Sequence, residues 1–292
     1  MKILILGAYG MLGHKLMIEL GRTHDVTGTC RAVRQDVAVE ALVPASRVIA
    51  GVAAEDIDSI RGAMETARPD VVVNCIGIVK QLKEANEPIP AIYVNALFPH
   101  KLAKMCAGKA RLLHFSTDCV FSGKRGRYRT DDAHDATDLY GRTKSLGELT
   151  GDACVTIRSS IVGRELGQGN GLIEWFLGQR EGTVRGYTNA IYSGFTTKEM
   201  SRIVDLMITS HPELHGVWQV ASDPISKCDL LGIVKSKLGV QVVIVPDDTF
   251  RCDRSLDGSR FNERTGYSPP SWEAMIEEMA KETDQYESNR GS

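Results

Sequence analysis

Four features are missing from this sequence, and each absence argues against a class of protein or site. The seven cysteines are odd in number and form no Cys-x-x-Cys pair, which argues against a disulfide framework. No apolar run approaches the ~20 residues that a transmembrane helix needs, so we expect no membrane insertion. The formal net charge is only −2, which offers no broad basic surface to nucleic acid. No group of His, Cys and Asp has the spacing of metal ligands, and we expect no catalytic metal.

The composition is that of an ordinary globular protein, with 42% hydrophobic and 25% charged residues. Met1-Lys2 and the predicted strand that follows are unlike a secretory signal peptide, so a cytoplasmic location is expected. Lys2–Leu6 is a short apolar run that predicts a strand buried on both faces.

Glycines at 7, 10 and 13 follow this strand and precede a helical pattern. Such glycines allow a tight turn, a close approach of the backbone to a pyrophosphate, and a helix amino terminus that points at phosphates. The strand before and the helix after make a dinucleotide site the favoured interpretation. A plain strand-to-helix turn is the alternative.

The end of the next predicted strand, Asp25–Cys30, carries basic residues instead of an acid. Arg31 and Arg34 follow it, and the nearest acid is Asp36. An acid at this place binds the free ribose hydroxyl of NADH, whereas an arginine suits the 2′-phosphate of NADPH. NADPH is therefore favoured, with NADH possible. Two solvated arginines at a loop start are the alternative.

Strands alternate with helices through the first half, which predicts an α/β, Rossmann-type, doubly wound parallel sheet. We divide the chain into a dinucleotide-binding domain with the catalytic residues (1–163), a smaller α/β part that mainly binds substrate (164–286) and a frayed tail (287–292). Strands are predicted at 2–6, 25–30, 48–52, 71–75, 111–116, 153–158, 217–220 and 241–245, and helices at 56–67, 91–107, 139–150, 171–180, 197–209, 226–238 and 271–284.

The fifth strand ends in Ser116-Thr117, and the helix that begins near Leu139 carries Tyr140 and Lys144. Residues four apart share one face of a helix. Carbonyl reduction needs a proton donor, and a lysine ammonium lowers the pKa of a nearby phenol toward the working range. A hydroxyl such as that of Thr117 would hold the substrate oxygen.

Taken together, these motifs resemble those of the extended short-chain dehydrogenase/reductases. Within them the chain is most similar to nucleotide-sugar 4-ketoreductases of the dTDP-4-dehydrorhamnose reductase type. The matching segments are Gly7-x-x-Gly10-x-x-Gly13, residues 68–74, Ser116-Thr-Asp-Cys-Val-Phe121, residues 139–148 and Arg158-Ser-Ser. The resemblance implies that Thr117, Tyr140 and Lys144 are catalytic. It also implies the cofactor contacts Gly7, Tyr9, Gly10, Met11, Leu12, Arg31, Cys75, Gly77 and Lys144.

The sequence departs from this family pattern around the expected sugar pocket. Cys119 replaces a tyrosine, and Cys75-Ile-Gly77 replaces a run of alanines. Residues 74–81 are similar to a subgroup that acts on UDP-linked 2-acetamido-6-deoxy-4-ketohexoses. The segment 189–197 is expected to be a polar, aromatic loop at the substrate; the alternative is that Thr196 or Thr197 only caps the next helix. The predicted substrate contacts are Lys80, Thr117, Asp118, Tyr192 and Arg254.

The resemblance implies NADPH-dependent reduction of the 4-keto group of a nucleotide-linked 4-keto-6-deoxy sugar for surface polysaccharide synthesis. UDP-2-acetamido-2,6-dideoxy-hexos-4-ulose and dTDP-4-dehydrorhamnose are both kept as candidate substrates. The alternatives are an epimerase of the same superfamily and a non-catalytic, dinucleotide-binding regulatory subunit. A homodimer is possible.

Overall fold

The computed structural model describes residues 1–33, 37–166, 169, 171–179 and 181–287. Arg34 and Asp36, which enter the argument for NADPH, lie outside the described residues, as do residues 288–292 of the expected tail. The strands are β1 Lys2–Leu6, β2 Asp25–Thr29, β3 Val48–Ile49, β4 Val71–Asn74, β5 Arg111–Ser116, β6 Cys154–Arg158, β7 Ile161–Val162, β8 Thr183–Tyr192, β9 Phe195–Thr196, β10 Gly216–Gln219, β11 Ile225–Ser226 and β12 Val243–Asp253.

Helices connect most of these strands. They are α1 Met11–Leu20, α2 Val37–Leu42, α3 Ile57–Ala67, α4 Pro88–Ala91, α5 Phe98–Cys106, α6 Leu139–Leu146, α7 Leu172–Leu177, α8 Thr197–Thr209, α9 Lys227–Leu238, α10 Ser259–Thr265, α11 Trp272–Ala280 and α12 Thr283–Glu287. Within the described residues, none of these helices is both long and apolar enough to cross a membrane.

The main sheet has seven strands in the order β10-β6-β5-β4-β1-β2-β3, and every pairing in it is parallel. The predicted doubly wound α/β fold is confirmed. Strand order reverses direction beside β1, so the carboxyl ends of β1 and β4 flank the crevice in which such sheets bind ligands. The strand β10 comes from the second half of the chain, and the division proposed at residue 163 stays a prediction.

Both faces of this sheet are covered, which explains the unbroken apolar runs of its central strands. Ile3 and Ile5 of β1 point into one buried cluster, which also contains residues of α1 and α8. Leu4 and Leu6 point into the opposite cluster, formed with α3 and α5. The alternation follows from the period of two in a β-strand.

The expected helix 91–107 is interrupted by a wider, π-helical segment, Ile92–Leu97, between α4 and α5. Pro99 has no N–H, so the carbonyl of Asn95 lacks its usual partner four residues on. Gly147, at the end of α6, packs against this carbonyl, and a Cβ there would lie 2.0 Å from Asn95 O. The widened turn therefore lets α6, the helix of Tyr140 and Lys144, approach closely.

The second half contains a three-stranded sheet in the order β11-β8-β12. The prediction of a loop at 189–197 is wrong, because residues 189–192 complete β8 and residues 195–196 form β9. Ala190 and Tyr192 are buried and the residue between them is less so, which is the alternation of a strand; the polar residues of this segment hid that alternation in the sequence. The strand expected at 241–245 continues to Asp253, since β12 is an edge strand and tolerates Pro246.

Candidate active site

The turn after β5 places a threonine and an aspartate in a buried polar cluster. Thr117 and Asp118 are buried. The Thr117 hydroxyl accepts a hydrogen bond from Cys119 N at 3.1 Å and donates to Asp118 Oδ1 at 3.2 Å. The other carboxylate oxygen accepts from Ser160 Oγ at 2.6 Å. Sequence reasoning missed Ser160, although it follows Arg158-Ser in a quoted motif.

Helix α6 is held against this turn by its own first residues. The Asp138 side chain caps the helix by accepting from Gly141 N at 2.9 Å. A Cβ at Gly141 would lie 2.3 Å from Cys119 O, so only glycine allows this approach. The approach brings the Tyr140 phenol into hydrogen-bonding contact with the Thr117 hydroxyl, as predicted from the motif.

Lys144 is buried one helical turn after Tyr140. Its Nζ donates to the carbonyl of Phe115 on β5 at 2.5 Å. Burial lowers the pKa of Lys144 to about 8, against the opposing effects of Glu148 and Cys75. A Cβ at Gly77 would lie 3.9 Å from Nζ, so the ammonium also faces the loop after β4.

The expectation that Lys144 lowers the phenol pKa is wrong for this arrangement. Burial raises the pKa of Tyr140 above its ordinary value, and the neighbouring Cys119 and Asp118 raise it further. Only the hydrogen bond with Thr117 acts in the opposite direction. Tyr140 therefore keeps its proton at neutral pH, which suits a proton donor.

The glycine turn has the geometry of a pyrophosphate cradle. Gly7 has φ +88°, a conformation that favours glycine, and its carbonyl accepts from Gly10 N at 3.1 Å. A Cβ at Gly13 would lie 2.0 Å from Gly7 O, so α1 packs directly on the turn. The first turn of a helix leaves N–H groups without intrahelical partners, here at Met11 and Leu12.

The other predicted cofactor contacts border the same crevice. A Cβ at Gly7 would lie 3.4 Å from the Cys75 backbone, so the loop after β4 touches the turn after β1. Arg31 is exposed just after β2. Tyr9, within the turn, packs against the core. The residues present thus fit a dinucleotide, with space for backbone approach at the glycines and an exposed cation at the adenosine end.

The predicted substrate residues fall into two groups. Tyr192 is buried near Asp118, and its hydroxyl has no hydrogen-bond partner among the described residues. Lys80 and Arg254 are already bonded: Lys80 Nζ pairs with Asp138 Oδ2 at 2.9 Å, and Arg254 Nε donates to Phe121 O at 2.9 Å. The substrate role of all five predicted residues, Thr117 included, stays a prediction.

The sequence reasoning missed a buried ion pair between Arg158 of β6 and Glu148, which lies just after α6. Glu148 accepts from Arg158 through both oxygens, at 2.9 and 2.7 Å, and from Ser116 Oγ at 2.6 Å. Its position four residues after Lys144, within the helix predicted over 139–150, was the available signal, although α6 ends at Leu146. His114 of β5 is also buried: its Nδ1 lies 3.1 Å from Asn74 Nδ2, and its Nε2 has no partner in the part of the chain described here.

No cluster of three or more His, Cys, Asp or Glu that could hold a metal occurs among residues 1–33, 37–166, 169, 171–179 and 181–287.

The sequence was compared with known protein families, and the match agrees with the site described above. Residues 1–177 match the family model described as RmlD substrate binding domain. The chain belongs to this family. The predicted resemblance to dTDP-4-dehydrorhamnose reductases is thereby confirmed.

Two curated relatives and one solved structure illustrate the similarity. The spore coat polysaccharide biosynthesis protein SpsK of Bacillus subtilis is 26% identical over 298 residues, covering 96% of this chain and 97% of that protein. A dTDP-4-dehydrorhamnose reductase of Streptomyces griseus is 38% identical over 147 residues, covering 50% of this chain and 43% of that protein.

The dTDP-4-dehydrorhamnose reductase of Bacillus anthracis, solved in complex with NADP, superposes with a TM-score of 0.77 at 20% identity, covering 96% of this chain and 98% of that one. Two of these three proteins are reductases by name, which agrees with the predicted enzyme class, an oxidoreductase.

Proposed function

We propose that this protein reduces the 4-keto group of a nucleotide-linked 4-keto-6-deoxy sugar with NADPH, in the synthesis of a surface polysaccharide precursor. The observation that carries the proposal is the meeting of Thr117, Tyr140 and Lys144 beside the glycine turn. A buried phenol with a raised pKa, a hydroxyl in contact with it and a lysine of lowered pKa form one site. The family to which the chain belongs supports the reaction type.

The raised pKa of Tyr140 and its contact with Thr117 support a role for each hydroxyl. The phenol keeps its proton at neutral pH and so can act as a proton donor, and the hydroxyl of Thr117 lies beside it. A substrate carbonyl oxygen placed beside both hydroxyls would receive the Tyr140 proton, while Thr117 would fix its position.

NADPH would supply the hydride. The glycine turn, Lys144 and Arg31 would hold this cofactor. The close packing of α1 on the glycine turn at Gly13 and the N–H groups of the first turn of α1 fit its pyrophosphate. The Lys144 ammonium faces the loop after β4, which borders the glycine turn, so it would help to hold the cofactor.

The sugar would lie in the cluster formed by Thr117, Asp118, Ser160 and Tyr192. The Asp118 carboxylate can accept further hydrogen bonds, and the Tyr192 hydroxyl can donate one, so both suit sugar hydroxyls or an acetamido group. Arg254 has guanidinium nitrogens besides Nε and, with Lys80, would face the diphosphate.

The nucleotide is proposed to be UDP or dTDP, and residues 74–81 favour a UDP-linked 2-acetamido sugar. On this proposal residues 1–163 bind the dinucleotide and residues 164–286 contribute much of the nucleotide-sugar site. A homodimer stays a prediction.

Replacing Tyr140 by phenylalanine tests the proposal. The variant loses the proton donor, so kcat should fall by about 10²–10⁴-fold while the dissociation constant of NADPH stays within about twofold of the wild-type value. Tyr187→Phe is the matched control, because its ring packs on Phe250 in the other sheet. Near-full activity of Tyr140→Phe would contradict the mechanism. NADPH binding by the wild-type protein without turnover of any keto sugar would favour the regulatory-subunit alternative.

A further inference from the structure

The C-terminal end of the described chain returns to the first helix of the dinucleotide-binding part. Tyr286, in α12, is buried, and its hydroxyl oxygen lies 2.8 Å from Nε2 of His14 in α1. The two rings meet edge to face with centroids 5.7 Å apart. These residues are 272 positions apart in sequence, so the contact is a tertiary one.

His14 connects this contact to the glycine turn. Its Nδ1 lies 2.9 Å from the carbonyl oxygen of Gly10, which can only accept a hydrogen bond, so Nδ1 carries the proton. Burial lowers the pKa of His14 to about 4, and the ring is neutral near pH 7. Nε2 is then an acceptor, and Tyr286 must be the donor. The chain of bonds runs from Tyr286 through His14 to Gly10.

Charged groups hold the same segment in place. Lys15, the residue after His14, donates to Glu282 Oε2 at 2.7 Å, and both side chains are nearly buried. Lys198 of α8 approaches the other oxygen of Glu282 at 3.0 Å. The guanidinium of Arg164 lies over the Tyr286 ring, 5.0 Å from its centroid. The C-terminal segment is thus fixed to both α1 and α8.

We propose that the segment from Glu282 to Tyr286 is a positioning element of the dinucleotide site. By holding His14, it fixes the Gly10 carbonyl and the first turn of α1, whose N–H groups would face the pyrophosphate. The inference rests on the proposed binding of NADPH. It assigns to the C-terminal end of the chain a part in cofactor affinity, although that end lies far in sequence from the glycine turn.

Tyr286→Phe tests this role, because it removes the hydroxyl and keeps the ring. Loss of the hydrogen bond should raise the dissociation constant of NADPH, measured by nucleotide fluorescence, by about 3- to 10-fold. The kcat and the KM of the sugar at saturating NADPH should be unchanged, because no catalytic residue contacts Tyr286.

Tyr267→Phe is the matched control. Its hydroxyl donates to Glu199 of α8 at 2.7 Å, so the variant also loses one phenol hydrogen bond but leaves His14 bonded. A purely structural role predicts lower melting temperatures for both variants with unchanged NADPH affinity, and that result would overturn the proposal. A shift in affinity for Tyr286→Phe alone supports it.

The tautomer of His14 gives a test that does not involve activity. Two-dimensional ¹⁵N NMR of the wild-type imidazole should show the proton on Nδ1, and in Tyr286→Phe the Nε2 signal should move as its hydrogen bond is lost. A proton on Nε2 in the wild type would overturn the bond chain even if NADPH binds. A wild type that shows the expected tautomer but binds no NADPH would refute the proposed function, and with it the role in cofactor affinity.

Discussion

Replacing Gly13 by alanine tests how closely α1 packs on the glycine turn. The added Cβ would lie 2.0 Å from the carbonyl oxygen of Gly7 and 2.9 Å from its carbonyl carbon. Ordinary contact begins at 3.4 Å, so the helix and the turn must separate by about 1.4 Å. Both partners are backbone, and neither can rotate away as a side chain would.

The magnitude follows from two opposing effects. Overpacking of a close backbone contact costs about 3 kcal/mol, the upper end of the usual range. Alanine gains about 1 kcal/mol over glycine through its helix propensity. The net loss of about 2 kcal/mol corresponds to a melting temperature about 4 °C lower for a chain of this size. Displacement of the first turn of α1 should also weaken NADPH by about tenfold or more.

Gly62→Ala is the matched control, because Gly62 lies within α3 and a Cβ there would meet nothing within 4 Å. This variant should be more stable by about 1 kcal/mol and should bind NADPH like the wild type. Thermal unfolding and fluorescence titration measure both effects. If Gly13→Ala were stabilised as much as Gly62→Ala and bound NADPH normally, the close packing of α1 on the turn would be refuted.

Three further predictions concern the charged groups of the site. Burial lowers the pKa of Lys144 to about 8, so its ammonium is present below that pH, and kcat/KM for NADPH should fall as the pH rises through about 8. In Lys144→Arg, which stays charged, this alkaline fall should disappear, and an unchanged fall would assign it to another group. Glu148→Gln leaves the buried Arg158 without its carboxylate and should lower the free energy of unfolding by about 3 kcal/mol in denaturant titration. Because Glu148 raises the pKa of Lys144, the variant should also move the alkaline fall to lower pH, and an unmoved pH profile would contradict this interaction between Glu148 and Lys144. Arg31→Ala should weaken NADPH by about tenfold and NADH much less, since only NADPH has the 2′-phosphate, whereas equal losses would exclude that contact.

The first half of the fold could be predicted because its signals are local. The apolar run of β1, the glycine turn and the start of α1 lie within twenty residues and agree with one another. The bounds of α8 were predicted correctly, because Thr196 supplies a cap, accepting from Glu199 N, and the apolar period begins at once.

The features that were missed depend on contacts between distant residues. The strands β8 and β12 pair in parallel across about sixty residues, and β12 is mostly exposed, so its sequence shows little alternation. The raised pKa of Tyr140 depends on burial produced by several elements packed together, which a motif does not reveal. The contact between His14 and Tyr286 joins the two ends of the chain. The spacing of motifs predicted which residues meet at the site but not the electrostatic balance among them.

The most direct test of the central claim is isotope transfer to the sugar. The wild-type protein is incubated with NADPH carrying deuterium at nicotinamide carbon 4 and with freshly generated UDP- and dTDP-linked 4-keto-6-deoxy sugars, with and without a 2-acetamido group. We expect NADPH oxidation with one of them and deuterium at sugar carbon 4 of the product by NMR. NADPH binding without oxidation on every sugar, or a product without deuterium at carbon 4, would contradict the account.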